Sequence, residues 1–208
     1  GGAQDLPPRQ RTLRKAIAHS YNLLDDGERS LFRSLGVFVG GCDLEEIAAV
    51  SAWSEDLSGR ALSSTLHGLI GKSLVRVETS PGGSRRFLLL ETIREFALEQ
   101  ARADGEESLL RQRHFDSYLQ LFRTADSRLR GPEAAVWLAR LEPEQDNLRA
   151  ALQWTLAEGR YADMAWLLLA VSWFWLHTGH WYEASRWIAQ LLPYRAALDT
   201  DVRLSLLI

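Results

Sequence analysis

The chain has 208 residues, 46% of them hydrophobic and 25% charged, a composition ordinary for one large globular domain or two small ones. Its 24 basic residues against 27 acidic ones give a formal net charge of −3, which argues against a dedicated nucleic-acid binder with a global basic field. The single Cys42 allows no internal disulfide and fits a reducing, cytoplasmic setting.

In chain order, Leu13, Ile17, Tyr21 and Leu24 recur at steps of four, four and three and define one helix face. Asp25-Asp26-Gly27-Glu28 offers a turn and an Asp-x-x-Glu capping box for a second helix, with Leu31, Phe32 and Leu35 inward. Gly36 ends that helix, and Val37-Phe38-Val39 before Gly40-Gly41 reads as a short buried link. Asp43-Leu44-Glu45-Glu46 is a second capping box, opening a helix through about Ala52. The next helix, over 57–71, carries Leu62, Leu66, Leu69 and Ile70 on one stripe. The period then alternates. Val75 and Val77, then Phe87 and Leu89, flank the turn-forming Ser80-Pro81-Gly82-Gly83 and predict a β-hairpin. Helix resumes from Glu91 to about Ala103 and stops at Asp104-Gly105.

Helices followed by a two-stranded hairpin predict a winged-helix domain over 9–105, with 57–71 in the recognition position. That helix offers Arg60, His67 and Lys72 and no Asn or Gln to pair with adenine. The wing adds Arg76, Arg85 and Arg86, with Glu78 among them. The expectation is a solvated or protein-facing hairpin, with direct DNA contact unlikely.

From 106 to 208 no alternation remains, and the reading is an α-helical repeat domain similar to tetratricopeptide (TPR) repeats. Phe115, Tyr118, Leu119, Phe122 and Ala125 share a helix face. A helix after Pro132 carries Val136, Trp137 and Leu141, and one after Pro143 turns Leu148, Ala151, Leu152 and Leu156 inward. Gly159-Arg160-Tyr161 and Gly179-His180-Trp181 recur twenty residues apart, each before a helix containing Ala. Met164 to Leu176 is uncharged but shorter than the ~20 residues of a membrane span, so it reads as a buried helix. Its apolar residues cover both faces, as in a helix sandwiched between neighbours. Trp166, Trp173, Trp175, Trp181 and Trp187 serve mainly as core, with an aromatic-lined groove for an inducer or partner as the functional reading.

Other patterns carry no chemistry. Gly71-Lys72-Ser73 resembles the end of a phosphate-binding loop, but Leu66 stands where a glycine is required, and the helix precedes the strand. His177, His180 and Glu183 have metal-like spacing, but Gly179 interrupts their helix and no fourth ligand is apparent, so no metal is expected. No strained elbow surrounds any Ser, and Glu45-Glu46 and Glu106-Glu107 read as helix first-turn charges. The chain is not expected to be an enzyme. Gly1-Gly2 without an initiator Met, and the abrupt apolar run Leu204–Ile208, read as the ends of an excised segment.

Three stretches, Arg9–Val50, Lys72–Gln100 and Gly131–Leu156, together resemble the region downstream of the nucleotide-binding module in bacterial signal-transduction ATPases with numerous domains, the STAND/NB-ARC type. Large LuxR-type and antibiotic-regulator-type transcriptional regulators belong to that group. The resemblance implies a winged helix that relays nucleotide state from an upstream ATPase module of the same protein. It also implies helical repeats that sense an inducer or partner protein. ATP or ADP and Mg would belong to that upstream module, and no cofactor to this segment. Eukaryotic relatives carry a Met-His-Asp motif at the end of the winged helix, and Leu90-Glu91-Thr92 stands at its position. Glu91 replaces the histidine, and an ionised carboxylate cannot donate to phosphate. Arg94, one turn on, is the alternative nucleotide sensor. The leading expectation is thus a non-catalytic regulatory segment. The alternative is a winged-helix DNA-binding domain with a helical dimerisation module.

Overall fold

The computed structural model describes residues 8–51, 59–79 and 85–206. The chain forms two compact units, Gly1–His114 and Phe115–Ile208. The protein is mainly helical, with one small β-hairpin.

In the first unit α1 (Pro8–Asn22), α2 (Asp26–Leu35), α3 (Leu44–Ser51) and α4 (Gly59–Gly71) precede strands β1 (Arg76–Thr79) and β2 (Arg85–Leu88), and α5 (Glu91–Ala103) follows. Both expected capping boxes form. Asp25 Oδ1 accepts from the Glu28 N–H at 2.8 Å, and Glu28 Oε2 accepts from the Asp25 N–H at 3.1 Å. Asp43 and Glu46 repeat the exchange at 2.9 and 2.8 Å, opening α3. Each box satisfies orphan donors that a helix start otherwise leaves to water.

Helix α2 is the hub, packing on α3, α4 and α5. Its Leu31, Phe32 and Leu35 are buried, and Phe32 forms an aromatic cluster with Tyr21 of α1 and Phe96 of α5 at centroid distances of 5.5 and 6.4 Å. Ile17, Tyr21 and Leu24 are buried as the periodicity predicts, but Leu13 is exposed. The hairpin is antiparallel and pairs Val77 with Phe87. Ser80–Gly83, its expected tip, lies outside the described residues, as do the Ala52 end of α3 and residues 57–58 of the expected recognition helix.

The link 37–42 does more than connect. Cys42 bridges to Phe87, donating its N–H to the Phe87 carbonyl at 3.0 Å and accepting in return at 2.8 Å. This third strand-like edge depends on Gly41, which has φ +85° and whose added Cβ would lie 2.7 Å from Leu88 Cγ.

The second unit begins within α6 (Glu107–Leu129) and continues with α7 (Ala134–Leu141), a 3-10 turn at Glu142–Glu144, α8 (Gln145–Ala157), α9 (Tyr161–Thr178), α10 (Trp181–Leu191) and α11 (Thr200–Leu206). Helix α9 packs on α7, α8, α10 and α11, which explains why both of its faces are apolar. Phe122 of α6 also meets Phe174 of α9 at 5.7 Å. The recurring glycines share one job: Gly159 and Gly179 adopt φ +68° and +76°, the left-handed stop before the next helix. Helix α7 departs from expectation. Val136 is 72% exposed, and Leu141 is the residue that reaches the core.

Candidate functional site

Three surfaces follow from the sequence. In the first, the α4–wing face, the long helix stripe Leu62, Leu66 and Leu69 is buried, which leaves Ser64, His67 and Gly71 at the surface. His67 shares its Nδ1 with the Ser63 carbonyl at 2.8 Å. The Arg60 side chain lies outside the described residues. Lys72 does not face outward as a free cation, because its ammonium pairs with the buried Glu28 carboxylate at 2.5 Å. That contact ties the C-terminus of α4 to the N-terminus of α2.

Along the wing, Arg86 is also engaged, donating to the Gly41 carbonyl at 2.9 Å and to the Gly40 carbonyl at 3.3 Å. Arg76 and Arg85 are exposed and have no ion-pair partner among the described residues. Arg76 stands across from Leu88 and Arg85 across from Thr79 in the ladder register.

The second surface is the N-terminus of α5. Arg94 makes a two-pronged contact with Glu91, at 2.9 and 2.6 Å, and a longer one to the Gly36 carbonyl at 3.4 Å. The Arg94 guanidinium holds the Glu91 carboxyl below the usual carboxylate range. Thr92 is exposed beside them. Glu91 and Arg94 therefore answer each other, and a phosphate reaching Arg94 would have to displace a carboxylate already bonded through two nitrogens.

The third comprises the tryptophans, which the fold disperses. Trp175 is 3% exposed and belongs to the core, while Trp181 is 58% exposed at the start of α10. Trp187 sits half-buried and reaches Glu183 at 3.5 Å. Trp166 and Trp173 alone share a repeating environment. Arg123 of α6 lies 5.3 Å from the Trp166 ring and Arg130, just past the end of α6, lies 4.8 Å from the Trp173 ring, a ladder with a seven-residue step on each side.

Two polar clusters, the first partly buried and the second buried, escape sequence reading. Arg33 donates to Glu106 at 2.7 and 3.1 Å, pairs with Asp104 at 3.1 Å and reaches the Tyr21 hydroxyl at 3.4 Å. Burial opposes its charge, but the bonds to Glu106 and Tyr21 outweigh that and raise its pKa. In the second unit, buried Glu144 accepts from the Tyr118 hydroxyl at 2.8 Å and from Asn147 at 3.0 Å. Glu106 reads as a helix-start acid in sequence, and nothing local signals its partner 73 residues away, nor the partner of Glu144 26 residues away.

Among the described residues no group of His, Cys, Asp and Glu is placed to hold a metal ion, and His177, His180 and Glu183 do not converge on one. Among them, too, no helix is long and apolar enough to cross a membrane.

Three helices, a strand-like bridge, a hairpin and a closing helix define a winged helix-turn-helix domain, and the model of that domain family matches residues 24–102. The chain as a whole is similar to candidate HTH-type transcriptional regulators of Mycobacterium tuberculosis and Mycobacterium bovis, at 36% identity over 207 residues. That alignment covers 98% of this chain and 23% of each regulator, so the chain spans about a quarter of their length. An uncharacterized protein of Mycobacterium tuberculosis is 33% identical over 114 residues, 55% of this chain and 29% of that protein. No solved structure matches the chain.

Proposed function

We propose that this chain is the winged-helix and helical segment of a transcriptional regulator, and that the winged helix meets duplex DNA through α4 and the wing. The wing's own charge alone argues for a protein-facing hairpin, and the exposed arginines argue for DNA. The observation that carries it is the pair Arg76 and Arg85, exposed on the wing with no ion-pair partner among the described residues, where Arg33, Lys72, Arg86, Arg94 and Arg102 are engaged within the chain. The similarity to HTH-type regulators supports the same reading. With so few free cations, the wing positions the domain on phosphate, and α4 offers Ser64 and His67 toward base edges. The test is an anisotropy titration of the chain with a randomised duplex pool, repeated with Arg76→Ala/Arg85→Ala. Weaker binding and a shallower salt dependence in the double variant support the proposal, and unchanged binding refutes it.

A second reading is favoured by charge. Residues 24–102 hold 9 basic and 12 acidic side chains, so the domain has no basic field of its own. In this reading the winged helix is a protein-facing relay packed on a nucleotide-binding module of the longer protein. ATP or ADP and Mg belong to that module, Glu91, Thr92 and Arg94 lie at the relay surface, and the TPR-like helices receive an inducer along Trp166 and Trp173. Pull-down of this chain by a separately produced upstream segment, with no duplex binding, would select it over the first.

A further inference from the structure

The chain's basic residues are unevenly placed, and the excess is not in the winged helix. Helix α1 carries Arg9, Arg11, Arg14 and Lys15 with His19, and no acidic residue over its 15 positions. Its inner face is accounted for: Ile17 and Tyr21 are buried, Tyr21 against Phe32 and Phe96. Arg14 is accounted for too, paired with Glu99 and lying 5.8 Å over the Phe96 ring.

The outer face is different. Lys15 and His19 stand four residues apart, on one stripe of the helix. Lys15 and His19 are exposed, with no partner among the described residues. Lysine occurs only twice in the chain, and Lys72 is held by Glu28, so Lys15 is its free ammonium among the described residues. A cationic stripe backed by a packed apolar face suits a polyanion better than an apolar partner.

We infer that α1 is a phosphate-contacting element, its Lys15–His19 stripe seated on the backbone of duplex DNA. The inference rests on the reading that this domain meets DNA, and it adds an anchor outside the residues matched as the winged helix-turn-helix. The contact carries no base information and fixes position only.

The lysine count supplies the test. The whole chain is treated with an amine-acylating reagent, with and without a random-sequence duplex, and modification at Lys15 and Lys72 is read by mass spectrometry. The expected result is several-fold protection of Lys15. In parallel, Lys15→Ala should lower the slope of log K against log salt by about 0.9, the value of one lost phosphate contact. Lys15 is exposed, so this substitution leaves the core intact, and the labelling itself needs no variant. If Lys15 labels equally with duplex present and Lys15→Ala keeps the full slope, the inference fails. In that case loss of binding by Arg76→Ala/Arg85→Ala still upholds the wing reading. If the chain binds no duplex at all, both fail together. Protection of Lys15 by poly-glutamate but not by duplex would also overturn the inference, in favour of an acidic protein surface.

Discussion

Gly68 lies inside α4, where helix propensity alone predicts that Gly68→Ala stabilises the protein by about 0.8–1 kcal/mol. The fold predicts the opposite sign. A methyl group at position 68 would overlap Oε1 of Glu28, whose Cδ would stand only 3.2 Å away. That carboxylate is not free to swing aside. It is buried, pairs with Lys72 at 2.5 Å and accepts from the Asp25 N–H at 3.1 Å as half of the α2 capping box. Displacing it removes a capping bond of about 0.5–2 kcal/mol and a charge-assisted hydrogen bond of about 1.5–3 kcal/mol. The Lys72 side chain is one-third exposed, so solvent screens the second term toward its low end. Against the propensity gain, a net loss of about 1–2 kcal/mol remains. Urea unfolding followed by far-ultraviolet circular dichroism gives the total, and hydrogen exchange of α2 and α4 amides locates it. The decisive comparison is a cycle with Glu28→Ala. Once the carboxylate is gone, Gly68→Ala should stabilise, so the sign of one substitution reverses with its background. Equal effects in both backgrounds would refute the steric account.

Gly41→Ala should cost more than a simple loss of glycine freedom, at least about 1–2 kcal/mol, since φ +85° and contacts of 2.7 Å to Leu88 Cγ and 2.9 Å to the Phe87 carbonyl act together. Loss of exchange protection at the Cys42 and Phe87 amides would report it. In the second unit, Trp175→Ala should destabilise by about 3–5 kcal/mol. Trp166→Ala, at a residue 43% exposed, should cost about 0.5–1 kcal/mol through its contact with Arg123. Comparable losses in denaturant melts of the two variants would contradict the placement of Trp175 in the core. Glu183 is held below the usual carboxylate range by Arg149, which reaches it at 2.7 and 2.8 Å. A depressed folded pKa means stability that is complete above the unfolded value and lost as the pH falls through the folded one. Glu183→Gln should therefore flatten the acid limb of the second unit's stability profile and leave the neutral region little changed in slope. An acid limb as steep as the parent's would rule this out.

What the sequence made legible was local. Both Asp-x-x-Glu boxes form because they need only residues three apart, and the alternation around 75–89 yields the Val77–Phe87 register because a turn separates the strands. Gly159 and Gly179 are readable for the same reason, since a left-handed helix stop is set by one residue. The failures are long-range or concern surfaces. Lys72 looks like a recognition-helix cation until Glu28, 44 positions earlier, takes its ammonium. Val136 has the spacing of a core residue, yet α7 is short and turns it to solvent. The five tryptophans cluster in sequence, but the 100° step of a helix sends Trp175 inward and leaves Trp166 at the surface.

Few cations of the winged helix are free to meet phosphate. Within 24–102, Arg33, Lys72, Arg86, Arg94 and Arg102 are each held by carboxylates or carbonyls of the chain itself. Arg76 and Arg85 remain on the wing and Lys15 on α1 as exposed cations with no partner among the described residues, and these are the three that the proposed contact surfaces supply. Three phosphate contacts give a salt slope of about −2.7, or about 40-fold between 50 and 200 mM salt, where six to ten contacts lose about a thousandfold or more. Under the DNA proposal, binding through these three contacts would be weak and only mildly salt-dependent. Tight occupancy of a site under that proposal would require further cations, such as those of a second copy on an adjacent half-site. A slope near −6 for the 208-residue chain would mean that cations beyond these three reach phosphate, and Lys72, tied to the buried Glu28, would be the first to test.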